Sequence, residues 1–203
     1  MIGCFSLARE TFDIDFAKKK LLKTKKSLTK LNKKIIFFDD LVTNDKIGEN
    51  AIKYFKNIKC TKFIVIQSTF TDAKFISLFV KKFKKPILFI SFKEKRSGGR
   101  LRLNSLCGVN LGLHALIKSK FYSNFTIYTN DEQSFSKEIL KFIKTKNSFK
   151  KRNYLKKINL KVVNKKIIEF KKPKLGLIGE RPEGFDTCDY NNEELKSKFN
   201  ANV

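Results

Sequence analysis

Six arginines stand among 39 lysines in this chain of 203 residues, and three of the six fall in one stretch, Lys93-Glu94-Lys95-Arg96-Ser97-Gly98-Gly99-Arg100-Leu101-Arg102-Leu103-Asn104-Ser105-Leu106-Cys107-Gly108. A guanidinium offers a planar fork of donors that a lysine ammonium cannot copy, so arginine in an otherwise lysine-rich chain points to a geometric requirement. A fourth arginine, Arg9, lies in Ala8-Arg9-Glu10-Thr11-Phe12-Asp13, just ahead of a helical stretch. The positive end of a helix dipole disfavours a cation there, which makes Arg9 a candidate for contacting an anion or a polyol. The segment Gln67-Ser68-Thr69-Phe70-Thr71-Asp72 adds hydroxyls and an amide. Arg9, Ser68, Arg100 and Asn104 are therefore the candidate substrate-binding residues.

Other residues in these segments have structural readings. Asp13 and Asp72 read as carboxylates at helix starts. Gly98-Gly99 permits a tight turn, and Asn104 or Ser105 can cap the helix that follows. Gly108 and Gly112, four apart, offer a smooth helix face for close packing rather than a ligand site. Neither G-x-G-x-x-G nor G-x-x-x-x-G-K-[ST] occurs, so dinucleotide and P-loop nucleotide binding lose their usual support. The sole histidine, His114, falls inside an apolar helical stretch, and no Ser-His-Asp or Cys-His set can be assembled around it. Cys4, Cys60, Cys107 and Cys188 are spread singly, which is not a metal framework and fits reduced thiols. Cys4 and Cys107 sit in apolar contexts and are expected to be buried. Glu180, Glu183, Asp186 and Asp189 cluster in one polar segment; the two readings are a solvated loop and a divalent-cation site.

Apolar runs alternate with amphipathic stretches along the first 150 residues. The runs are 2–7, 34–38, 63–66, 87–92 and 125–128; the stretches are 12–31, 45–57, 72–83, 105–118 and 132–149. This alternation predicts β-α-β units on a parallel sheet. The strands read as nearly continuous hydrophobic runs, so both sheet faces are covered. The expected fold is a three-layer, doubly wound α/β domain of flavodoxin/Rossmann-like type. In such sheets ligands bind beyond the carboxyl ends of the strands, and Arg9, Ser68, Arg100 and Asn104 each follow a strand by a few residues. The expected organisation is an α/β domain over 1–148, a lysine-rich crossover or linker over 149–172, and the beginning of a second α/β domain over 173–203. That last part opens with a strand at 174–179 and a helix at 193–199.

The formal net charge is +26. Lysine, Phe, Ile and Asn all have A/T-rich codons, so compositional drift explains this charge better than selection for a nucleic-acid partner, which favours arginine. Polyanions would still be attracted non-specifically. No apolar run approaches the ~20 residues needed to span a bilayer, and the opening residues lack the basic start of a secretory signal. The expected location is cytoplasmic.

The stretches Arg96-Ser97-Gly98-Gly99-Arg100-Leu101-Arg102-Leu103-Asn104-Ser105-Leu106-Cys107-Gly108-Val109-Asn110-Leu111 and Gly176-Leu177-Ile178-Gly179-Glu180-Arg181-Pro182-Glu183-Gly184-Phe185-Asp186-Thr187-Cys188 resemble the amino-terminal part of L-fucose/L-arabinose isomerase-like proteins. Ser6-Leu7-Ala8-Arg9-Glu10-Thr11-Phe12-Asp13 and Gln67-Ser68-Thr69-Phe70-Thr71-Asp72-Ala73 are similar to that family as well. The resemblance implies a metal-dependent aldose–ketose isomerase assembled as a homo-oligomer, in which a divalent cation, usually Mn2+, is held by a Glu, an Asp and a His and acts as Lewis acid and template. No residue here matches those ligands, so the chain reads as an amino-terminal fragment, inactive alone, that contributes to oligomerisation and to the edge of a sugar pocket. The family's amino-terminal domain lends an arginine from the loop after strand one to a neighbouring subunit's pocket, and Arg9 is the position that corresponds. Two other classes remain open: a basic nucleic-acid-binding α/β protein and a stand-alone small-ligand module.

Overall fold

A computed structural model describes residues 1–94, 98–118, 125–129, 135–145 and 174–201. The elements run β1 (Ile2–Leu7), α1 (Ile14–Leu31), β2 (Ile35–Val42), α2 (Asp45–Lys56), β3 (Lys62–Gln67), α3 (Lys74–Phe83), β4 (Ile87–Phe92), α4 (Ser105–Lys118), β5 (Phe125–Thr129) and α5 (Ser136–Lys144). The strands pair in parallel in the order β2-β1-β3-β4-β5. This is the flavodoxin-like arrangement, with its topological switch point between β1 and β3. Every residue of β1, β3 and β4 is buried, as expected for strands covered on both faces.

Successive side chains of a strand point to opposite faces, and this sheet sorts them by size. Ile2, Cys4, Ile64, Ile66, Leu88 and Ile90 join Ala17, Leu21 and Leu28 of α1 and Ile139 and Phe142 of α5 in one aliphatic layer. The opposite layer is built of rings. Phe5, Phe63 and Phe79 lie within 4.5–4.8 Å of one another through Phe79, and Phe55 of α2 closes edge-on at 5.3 Å from Phe63. The rings fit because Gly3 and Gly48 leave room; a Cβ at Gly3 would stand 2.4 Å from Phe63, and one at Gly48 would stand 2.6 Å from Phe75.

The helices begin where polar side chains satisfy their first N–H groups. Asp13 accepts from the Phe16 N–H at 2.9 Å and Asn44 from the Ile47 N–H at 3.0 Å, as helix starts require. Ala17, Leu21, Thr24 and Leu28 form the buried stripe of α1. The C-terminus of α5 is closed by a buried lysine: the Lys62 Nζ donates to the carbonyls of Phe142 at 2.7 Å, Ile143 at 2.9 Å and Thr145. An ammonium there complements the negative end of the helix. Burial holds its pKa below the ordinary lysine value.

Several boundaries differ from the sequence reading. β2 continues to Val42 rather than ending at Phe38, because the register with β1 slips between Cys4 and Ser6 and carries the exposed Asp39 and Asp40 past the irregularity. Such a bulge bearing charges protects an edge strand from further pairing. Cys107 is exposed rather than buried, since it falls on the outer side of α4; Cys60 is buried instead, together with Cys4. Burial pushes both of those thiols up from their ordinary pKa.

Met1–Lys150 forms one compact unit and Lys151–Val203 a second. The expected linker over 149–172 lies outside the described residues. In the second unit the expected strand at 174–179 is not formed: Lys174 makes an isolated bridge, and Leu175, Leu177 and Ile178 are exposed. Leu175 to Ile178 join no ladder with any strand among the described residues. A 3-10 turn over Asp186–Cys188 and a helix, α6 (Asn192–Phe199), follow. Asn191 caps α6 through the Glu194 N–H at 3.0 Å.

Candidate functional site

The loops after β1, β3 and β4 meet at the carboxyl edge of the sheet, over the switch point. Their floor is a run of buried polar groups that bond to one another. The Leu7 carbonyl accepts from the Ser68 N–H at 2.9 Å. The Ser6 hydroxyl donates to the Ile66 carbonyl at 3.2 Å, which leaves Ser68 as the donor in the 2.6 Å bond between the two serine hydroxyls. The Gln67 amide donates to the Thr69 carbonyl and to Thr71 Oγ1, each at 2.8 Å. Ser105 donates to the Gln67 carbonyl and accepts from the Phe92 N–H at 3.1 Å. Ser6, Gln67, Ser68, Thr69 and Ser105 are all 0–1% exposed, so these bonds offset the cost of burying them. Gly108 lies over Gln67: a Cβ there would stand 2.6 Å from its Nε2.

The wall is the loop from Gly98 to Asn104. Gly98 and Gly99 take positive φ, 74° and 69°, which glycine adopts without strain. Arg102 reaches Asp13 Oδ2 from Nε at 2.8 Å and from Nη2 at 2.6 Å, with its guanidinium 4.0 Å from the centre of the Phe16 ring. Arg100 donates to the Thr11 carbonyl at 3.0 Å and lies 5.0 Å from the Phe12 ring centre. Main-chain bonds close the seam, Asp13 N to Arg102 O at 3.1 Å and Phe70 N to Leu103 O at 2.7 Å. The Glu94 carboxylate accepts from the N–H groups of Leu103 at 2.8 Å and Asn104 at 2.7 Å. Asn104 takes φ 49° beside it. The Phe16 N–H, and then Arg102, hold the Asp13 carboxyl below the usual carboxylate range.

All four sequence-predicted residues lie at this edge, in different circumstances. Ser68 is buried and its hydroxyl is engaged by Ser6. Arg100 is exposed but anchored on Thr11 and Phe12, and Asn104 is half-buried over Glu94. Arg9 is exposed, and its main-chain N–H donates to Thr69 Oγ1 at 2.7 Å. Among the described residues nothing bonds its guanidinium. Asp13 pairs with Arg102, and Asp39 pairs with Lys25 at 2.9 Å. Asp13 caps its helix as the sequence suggests; Asp72 instead accepts from the Lys74 N–H at 2.9 Å, one residue short of the cap position. Ser105 bonds across to β3 and β4 rather than capping α4. Ser6, Gln67, Thr69 and Glu94 escaped the sequence reading as site residues, although Ser6 and Gln67 are polar side chains at the ends of apolar strands.

Among the described residues no three His, Cys, Asp or Glu side chains come together as a metal ion would require, and His114 is exposed on α4. The implied Mn2+ therefore has no fitting set of ligands here. No helix among them is long and apolar enough to cross a membrane.

The sequence profile of the fucose/sulfoquinovose isomerase N-terminal domain matches residues 3–179. Sulfoquinovose isomerases of Priestia aryabhattai and Priestia megaterium are each 28% identical over 197 residues, which is 97% of this chain and 40% of theirs. A sulfoquinovose isomerase of Alkalicoccus urumqiensis is 30% identical over 141 residues, covering 69% of this chain and 28% of that protein. The chain thus spans about 40% of the length of the first two relatives.

Proposed function

Because the chain belongs to the fucose/sulfoquinovose isomerase N-terminal domain family, we propose that it acts within a cytoplasmic aldose–ketose isomerase as the domain that supplies one edge of a sugar pocket. The observation that carries this reading is the contrast between Arg9 and its neighbours. Arg100 and Arg102 are tied to the β1–α1 loop, whereas Arg9, on the same edge, keeps its donors for a ligand. A guanidinium suits a polyol or an anionic sugar substituent, since it can donate two parallel hydrogen bonds to adjacent oxygens. The buried hydroxyl and amide floor fixes the backbone that presents it, through the bond from the Arg9 N–H to Thr69. Arg100 and Asn104 shape the adjoining wall, and Ser68 acts from beneath as a positioning residue.

In this reading the isomerase works as a homo-oligomer, and Arg9 reaches the pocket of a neighbouring subunit. Metal chemistry and proton transfer belong to residues outside those described here, so the 203-residue chain forms no ketose by itself. The test uses a full-length enzyme carrying this domain. Replacing one charge-assisted hydrogen bond, worth about 1.5–3 kcal/mol, the Arg9→Ala variant loses roughly 10- to 150-fold in kcat/KM with an unchanged Tm. An unchanged kcat/KM removes Arg9 from the pocket.

A further inference from the structure

We propose that the solvent face of α1 is a binding surface for the phosphate backbone of duplex nucleic acid. A/T-rich codons alone would spread lysine over every exposed helix face, and the lysines are not so spread. Of the eight exposed positions of α1, five are lysines: Lys18, Lys19, Lys23, Lys26 and Lys30. α4 has six exposed positions and one lysine, Lys118. The three lysines of α2 are accompanied by Asp45 and Glu49, whereas the seven of α1 stand against Asp15 alone, in the first turn.

Helical geometry gathers four of these lysines into a stripe. With 3.6 residues per turn, Lys19, Lys23, Lys26 and Lys30 fall within an arc of about 60° and extend about 16 Å along the helix. They follow one another by four, three and four positions, spacings at which like charges destabilise a helix, so an anion laid along the stripe relieves a repulsion built into the fold. The lysines beside them are used within the chain: Lys25 pairs with Asp39 at 2.9 Å, and Lys20 lies over the Phe16 and Phe92 rings. Among the described residues no hydrogen bond or ion pair holds Lys23, Lys26 or Lys30. α5 packs with α1 in the same aliphatic layer and exposes Lys137, Lys141 and Lys144, which widens the basic face.

Charge and composition select the occupant. One strand of a duplex carries a charge every ~3.4 Å along the axis, so the length of the stripe faces about five phosphates. Such contacts position a protein on the backbone and read no base sequence. Lysine, a point charge on a flexible stem, serves them without the fork that base readout favours. No aromatic side chain of α1 is exposed as a platform for unstacked bases, which favours a duplex over a single strand. The apolar face of α1, with Ala17, Leu21 and Leu28, is buried in the domain and leaves Leu22 as the one exposed apolar residue, so the helix has no apolar face to lay into a lipid surface. Lysine is depleted at protein interfaces, which sets this face apart from one that another polypeptide covers.

Fluorescence anisotropy of a short labelled DNA duplex, titrated with the whole chain across a salt series, tests this inference without reference to sugar. The logarithm of the affinity should fall with the logarithm of salt at a slope of about −3.6 or steeper, as four phosphate contacts require. Lys19→Gln, Lys23→Gln, Lys26→Gln and Lys30→Gln combined keep the helix propensity; together they should weaken binding at least about tenfold at low salt and flatten the slope by about three. Lys46→Gln, Lys53→Gln, Lys56→Gln and Lys81→Gln combined remove the same charge from α2 and α3 and should leave the affinity within about threefold, because charges beyond a Debye length are screened. Unaltered circular-dichroism melting shows that both variants still fold. If the second variant loses as much as the first, bulk charge suffices and the inference is overturned. Tighter binding to a single strand of the same length, or binding to phosphatidylserine vesicles and not to the duplex, overturns it equally.

Discussion

Arg9 and Arg102 carry the same side chain on adjoining loops and do different work. Arg102 spends its fork and its flat face inside the molecule, on Asp13 and Phe16; a lysine could copy neither the paired donors nor the stacking. Asp13 thereby joins two elements, since one carboxylate oxygen starts α1 and the other holds the loop after β4. Its pKa is lowered in the folded state, so the stability it contributes is present above the unfolded carboxylate value of about 3.8 and is lost as pH falls through the folded value. Thermal melts from pH 6 down to pH 2 should therefore show a steeper acid-side fall in Tm for the native chain than for Asp13→Asn. Asn still caps the helix but cannot titrate; parallel curves would mean that the carboxylate does not carry the linkage.

The elements were largely legible because hydrophobic periodicity and parallel-strand runs are local signals. β1, β4 and α4 have the bounds that their apolar patterns imply. What was not legible depends on partners distant in the chain. Nothing near Lys62 announces that its ammonium closes a helix some 80 residues later, and nothing in Gly176-Leu177-Ile178 tells that these residues stay out of any ladder among the described residues. The arginine cluster was recognised as geometrically special, but sequence alone could not say that Arg100 and Arg102 serve the fold. The glycines of α4 were legible as packing residues, and that role has a measurable consequence. Gly108→Ala would drive a methyl to 2.6 Å from the buried Gln67 Nε2, which already donates to Thr69 and Thr71. Overpacking of this kind costs about 1–3 kcal/mol, and urea unfolding should show a loss in that range. A neutral or stabilising result would mean that the floor of the edge is not held where the structure has it.

At the scale of the whole molecule, topology assembles the site. The order β2-β1-β3-β4-β5 places the switch point between β1 and β3, where the loops after them are joined by the bond from the Arg9 N–H to Thr69 and flanked by the Gly98 to Asn104 wall. The five helices around that sheet hold 17 lysines against four acidic residues, half of the +26 charge of the whole chain, whereas the edge pairs Arg102 with Asp13, so its chemistry comes from a few placed groups. The most direct measurement of that claim is the structure of a full-length enzyme carrying this domain with its sugar bound. The account predicts the Arg9 guanidinium within hydrogen-bonding distance, about 2.7–3.2 Å, of an oxygen on the sugar. A sugar pocket formed without the carboxyl edge of β1 and β3, with Arg9 facing solvent, would contradict it.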